Sequence, residues 1–124
     1  MMKTPIYIII GVAMLLFASC GQQHQAKNVI ETFIDENINE PSAVNGLKIS
    51  KFDSTRVVND SVIKRMRQHA DTIQRFSKHI KYADMTAVRK LFVARVTYSF
   101  YGVECSDTYY LDDQLSSVVA FKSN

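Results

Sequence analysis

The chain has 124 residues, 47% apolar and 22% charged, with 15 Lys and Arg against 12 Asp and Glu. That balance excludes a disordered polyelectrolyte, a collagen-like repeat and a multi-span membrane protein, and it leaves room for one small domain. A net charge of +3 is too weak for a nucleic-acid binder, and four Gly and two Pro argue against glycine-rich phosphate loops.

Residues 1–19 open with Met-Met-Lys-Thr-Pro, continue as an unbroken apolar run from Ile6 to Phe17, and close on Ala18-Ser19. A basic start, a short apolar stretch and small residues at its end describe a secretory signal peptide. The polar stretch Gln22-Gln23-His24-Gln25 stops the run well short of the roughly 20 apolar residues a spanning helix needs.

At Phe17-Ala18-Ser19-Cys20 the sequence resembles the lipobox of bacterial lipoproteins. The resemblance implies a diacylglycerol on the Cys20 thiol, cleavage just before it and usually acylation of the new amine. Gly21 lacks the Asp that retains such lipoproteins at the inner membrane, so it implies an outer-membrane destination. No acidic cluster follows Cys20, which favours the periplasmic side. Two or three acyl chains hold a protein stably where one holds weakly. With Cys20 lipidated, Cys105 has no partner for a disulfide.

Residues 20–25 are expected to be a lipidated tether and residues 26–124 a single domain. From Ala26 to Asn39, Val29, Ile30, Phe33, Ile34 and Ile38 recur at helical spacing, and Glu31, Asp35, Glu36 and Glu40 make this helix acidic. Asn39-Glu40-Pro41-Ser42 ends it. Leu47 to Phe52 reads as a strand, although Phe52 breaks its alternation. Asp60 or Ser61 is the expected N-cap of a long helix reaching Lys81, with Val62, Ile63, Met66, Ala70, Ile73, Phe76 and Ile80 on one face. Leu91 to Tyr101 follows as a strand, with Phe92, Ala94, Val96, Tyr98 and Phe100 inward. Glu104 to Leu111 and Leu115 to Lys122 complete a meander.

The order α-β-α-β-β-β predicts an α+β fold, a two-layer domain with two helices packed on one face of a roughly four-stranded antiparallel sheet. On element order alone it loosely resembles the cystatin-like and NTF2-like sheets of small envelope lipoproteins, which carries no functional residue over.

The sequence holds no His-Glu-x-x-His, Gly-x-Ser-x-Gly, Cys-x-x-Cys or phosphate-loop motif, so no catalytic residue, metal or cofactor is assigned. His24 falls in the tether, and His69 and His79 fall too far apart around the long helix to share a metal. Cys105 reads as a small strand residue, since Glu104 and Asp107 disfavour a thiolate. Asp107, Asp112 and Asp113 gather near one hairpin, as turn residues or as ligands of a hard cation. Tyr98, Phe100, Tyr101, Tyr109, Tyr110 and Phe121 serve the core, or present an outward binding face.

Asp60-Ser61-Val62 and Asp71-Thr72-Ile73 resemble the Asp-Ser/Thr-aliphatic signal for periplasmic O-glycosylation in some Gram-negative anaerobes, which implies sugar on Ser61 and Thr72. Lys64, Arg67, Arg75 and Lys78 form a basic stripe opposite the apolar face of the long helix, either solvated or a contact face for an anionic lipid surface or an acidic envelope protein. The expected function is a membrane-anchored cell-envelope lipoprotein with a non-catalytic binding or structural domain. The alternatives are a small periplasmic enzyme with a pocket between helices and sheet, or an inhibitor or immunity-type module.

Overall fold

The structure, a computed structural model, describes residues 21–55, 58–83 and 90–124. Cys20 and the signal segment lie outside the described residues. Helix α1 is described from residue 21 and ends at residue 37, a 3₁₀ turn covers Pro41–Ala43, and strand β1 runs Val44–Thr55. Helix α2 spans Asp60–Ala70, followed by β2 (Leu91–Phe100), β3 (Val103–Leu111) and β4 (Val118–Ser123). The strands form one antiparallel sheet in the order β1-β2-β3-β4, so the α+β fold and its element order are as the sequence predicts. No described helix is long and apolar enough to cross a membrane.

Helix α1 begins earlier than expected. Gln22 to Gln25 are helical instead of a tether, because Ala26 is fully buried and the Gln25 amide donates to the carbonyls of Gln114 and Leu115. Ile30, Phe33 and Ile34 then pack on the sheet face that carries Ala94, Val96, Tyr109, Leu111 and Phe121. Tyr109 stacks on Phe121 with ring centres 5.1 Å apart, and Phe33 meets both edge-on. Such pairs add about 0.5–1.5 kcal/mol each beyond area burial.

Strand β1 is longer than Leu47 to Phe52, and two register shifts explain its broken alternation. The shifts lie between Asn45 and Lys48 and between Ile49 and Lys51. Each extra residue resets the pleat, so Val44, Leu47, Ile49 and Phe52 all lean on the core. Strands β2 and β3 join through Tyr101 (φ 51°) and Gly102 (φ 77°), both left-handed as a tight type I′ hairpin requires. Strand β4 starts at Val118 instead of Leu115. The loop before it is organised by Asp112, whose carboxylate accepts from the Ser116 and Ser117 backbone N–H groups and the Ser116 hydroxyl.

The largest departure concerns the long helix, which ends at Ala70 instead of near Lys81. The Thr72 backbone and hydroxyl both donate to His69 O, closing the last turn. Beyond it the chain pairs with the end of α1: Asn39 N donates to Arg75 O, Ser77 N to Asn37 O, and Lys81 N to Asn37 Oδ1. Ile73, Phe76 and Ile80 therefore reach the core from an irregular segment, with helical spacing but no helix. The N-cap of α2 is Asn59, which accepts from Val62 N, rather than Asp60 or Ser61.

The two helices do not share one sheet face. Ile63 and Met66 of α2 form a second apolar cluster with Leu91, Val119 and Ala120, while Ala70 belongs to the main core. Leu91 and Ala120 point to the side opposite Phe92 and Phe121. Helix α2 thus straddles the β4 edge, where Arg67 Nε donates to Val119 O and Ala83 N to Val118 O, which protects that edge from further pairing.

Candidate functional site

The most densely bonded polar group is buried. Asp107 on β3 is 0% exposed, and its carboxylate accepts from Arg75 Nη2 at 2.6 Å, the Tyr98 hydroxyl at 2.6 Å and the Tyr109 hydroxyl at 3.0 Å. Arg75 Nε also donates to Tyr98 Oη, and its Nη2 to Ser123 Oγ. Burial pushes the Tyr98 and Tyr109 hydroxyls well above the ordinary range, and the Asp107 charge pushes them further. For Arg75, burial opposes the charge, but Asp107 and the Tyr98 hydroxyl outweigh it and its pKa is raised. Each carboxylate oxygen faces a donor, so the group ties residues 71–83 to strands β2 and β3.

A basic depression of about 530 Å³ lies between α2 and residues 78–82. Lys64, Lys78, His79 and Lys81 are exposed there, and Asp71 also lines it. Arg67 forms its floor, donating to Val119 O and Ala83 O with its guanidinium 4.7 Å from the Tyr82 ring centre. Burial raises the Tyr82 hydroxyl well above its ordinary range, Asp71 adds to the rise, and Arg67 opposes it. Lys81 and Tyr82 also line a second depression of about 390 Å³ against Asn28, Val29 and Thr32 of α1 and residues 116–118.

Three of the four residues expected as a contact face, Lys64, Arg67 and Lys78, therefore come together, though not as a stripe on one helix. Arg75 does not join them. It lies beyond the end of α2 and turns inward because Asp107 offers a buried counter-charge. His79 is likewise off the helix, in the basic depression, while His69 stays exposed on α2. Lys81 and His79 join Lys64, Arg67 and Lys78 from the irregular segment after α2.

Ser61 is exposed in the first turn of α2. Thr72 is exposed as a residue, with its hydroxyl engaged by His69 O. Asp107, Asp112 and Asp113 do not converge: Asp107 sits in the core and Asp112 organises its loop. Among the described residues no group of three or more His, Cys, Asp or Glu is placed to hold a metal. Cys105 is a half-buried free thiol whose Sγ lies 3.7 Å from Val103 O. Of the meander aromatics, Tyr109 and Phe121 are core, Tyr110 is half-buried, and only Tyr101, 66% exposed at the hairpin tip, faces solvent freely.

Comparison with known proteins finds no matching family, no matching curated protein and no matching solved structure.

Proposed function

We propose that the chain is a lipid-anchored lipoprotein of the cell envelope, held at the periplasmic face of the outer membrane through Cys20, with a non-catalytic domain that meets an anionic surface. The observation that carries the reading is how soon after Cys20 the chain docks on the folded domain. Residues 21–25 are helical and Gln25 and Ala26 dock on the domain, so a lipid on Cys20 leaves almost no slack between bilayer and domain. The domain then spends its time within a Debye length of the headgroups, about 8–10 Å, where surface charge acts.

The basic depression supports the same reading. Through Lys81 and Tyr82 it adjoins the depression against Asn28 and Val29 of α1, which follow Cys20 closely in the sequence. Each Lys or Arg near an anionic leaflet contributes about 1 kcal/mol, so Lys64, Lys78 and Lys81 reinforce acyl chains without replacing them. An acidic patch on an envelope protein would be met by the same groups.

The test is the intact mass of the protein extracted from membranes. The reading requires loss of residues 1–19 and a lipid increment on Cys20. Cys20→Ala should leave precursor or a protein released from the membrane. Cleaved, unlipidated protein that stays membrane-bound sinks the assignment.

A further inference from the structure

We propose that the open face of the sheet, the side away from α1, is a second binding surface and that it takes a linear acidic glycan. Lys51 on β1 stands directly opposite Arg95 on β2, Arg95 opposite Thr108 on β3, and Thr108 opposite Lys122 on β4. One row across all four strands thus carries three exposed cations on one face. Like charges directly opposite each other in a sheet are destabilising. Among the described residues no ion pair joins Lys51 or Arg95, although the Asp53 carboxylate lines the same hollow. The ion pairs among the described residues are Lys27–Glu31 and Arg75–Asp107, and the nearby Asp53 carboxylate accepts from Ser54 N instead. Bound carboxylates would remove that repulsion.

The surface is a hollow of about 360 Å³, not a ridge. Asp53, Val93 and Tyr110, paired in the next row, line it beside the cations, which still outnumber the one carboxylate three to one, and α2 closes that side by burying Leu91 and Ala120. A pyranose ring has an apolar face suited to Val93 and Tyr110, and a carboxylate on it suits the guanidinium fork of Arg95. Strands are spaced about 4.8 Å apart, so the cations stand about 5 and 10 Å from one another along the row. That spread exceeds a single small anion and fits a polymer with one carboxylate per sugar. Nucleic acid fits less well, because stacking successive bases needs several aromatic faces and Tyr110 is the one aromatic among the described residues lining the hollow. This surface is separate from the basic depression beside α2 and does not depend on it.

The experiment titrates the detergent-extracted full chain into fluorescently labelled hexagalacturonate and reads polarisation. Saturable binding is expected, weakened about tenfold between 50 and 300 mM salt as exposed charges are screened. Lys51→Gln with Arg95→Gln should weaken it about tenfold or more with an unchanged circular dichroism spectrum, and Lys64→Gln with Lys78→Gln should leave it intact. No binding, equal loss in the Lys64/Lys78 variant, equal affinity for monomeric galacturonate, or tighter binding of a six-residue oligothymidylate each overturns the proposal.

Discussion

Arg75 and Asp107 lie 32 positions apart in the chain, yet Arg75 Nη2 and Asp107 Oδ1 are 2.6 Å apart, with the arginine side chain 17% exposed and the aspartate side chain fully buried. The pair is the charged tie between the irregular segment after α2 and the sheet, beside the apolar packing of Phe76. Arg75→Ala strands a buried carboxylate, and the loss expected for breaking such a pair is about 3–5 kcal/mol. Arg75→Gln with Asp107→Asn keeps hydrogen-bonding groups without the charge and should cost less. Urea unfolding of both variants decides, and an equal loss would show that charge is not what matters there.

The tyrosines of this network predict a loss of stability in alkali. The hydroxyls of Tyr98 and Tyr109 are raised above their unfolded value, so the folded state keeps protons that the unfolded chain releases. Their contribution is whole below about pH 10, the unfolded tyrosine value, and falls as pH rises beyond it. Each adds up to about 1.4 kcal/mol of loss per pH unit in that window. Denaturation midpoints from pH 8 to 11.5 should fall steeply at the alkaline end. Tyr98→Phe with Tyr109→Phe should flatten that slope while lowering the plateau, and an unaltered slope would assign it to other groups.

At the start of α2, Asn59 caps and Ser61 is released from that duty. Asn59→Ala should cost about 1 kcal/mol, whereas Ser61→Ala should change stability by a few tenths at most. The free Ser61 hydroxyl is then the better acceptor of the two candidate glycosylation positions, since Thr72 already bonds His69 O. Glycopeptide mapping of the native protein should find hexose on Ser61 at higher occupancy than on Thr72. Bare peptides at both positions would dispose of the modification.

The basic depression makes a prediction of its own. Residues 21–124 carry both apolar clusters and the whole sheet. As a soluble chain they should bind vesicles rich in phosphatidylglycerol at low salt, and Lys64→Glu with Lys78→Glu should reduce that binding at least fivefold, consistent with about 1 kcal/mol for each lost lysine. Sedimentation with such vesicles shows whether it does. If the unaltered chain fails to bind at any ionic strength, the depression is a solvated face.

Two elements show where sequence reading succeeds and stops. The inward set Phe92, Ala94, Val96 and Tyr98 was legible from alternation alone, because period-two burial is a local property of a strand. The run from Ile73 to Ile80 was misread as helix because its apolar spacing of three or four is also what a turn-rich segment shows when it dips into a core. Alongside local turn bonds, Gln74, Arg75 and Ser77 use backbone groups to pair with Asn37 and Asn39, partners more than 30 positions away, which no local pattern announces.

By itself the sequence determined the α+β class, the element order and the strand faces, because these follow from periodicity and turn chemistry within a dozen residues. Only the tertiary structure decided which charged residues are surface and which are core. Arg67 and Arg75 read alike as members of a basic stripe. One became the floor of a depression and the other the counter-charge of a buried carboxylate. The cation row of Lys51, Arg95 and Lys122 is invisible in the chain, since strand pairing brings together residues 27 to 71 positions apart. A charge's environment is set by what packs against it, and long-range register, not local spacing, chooses that partner.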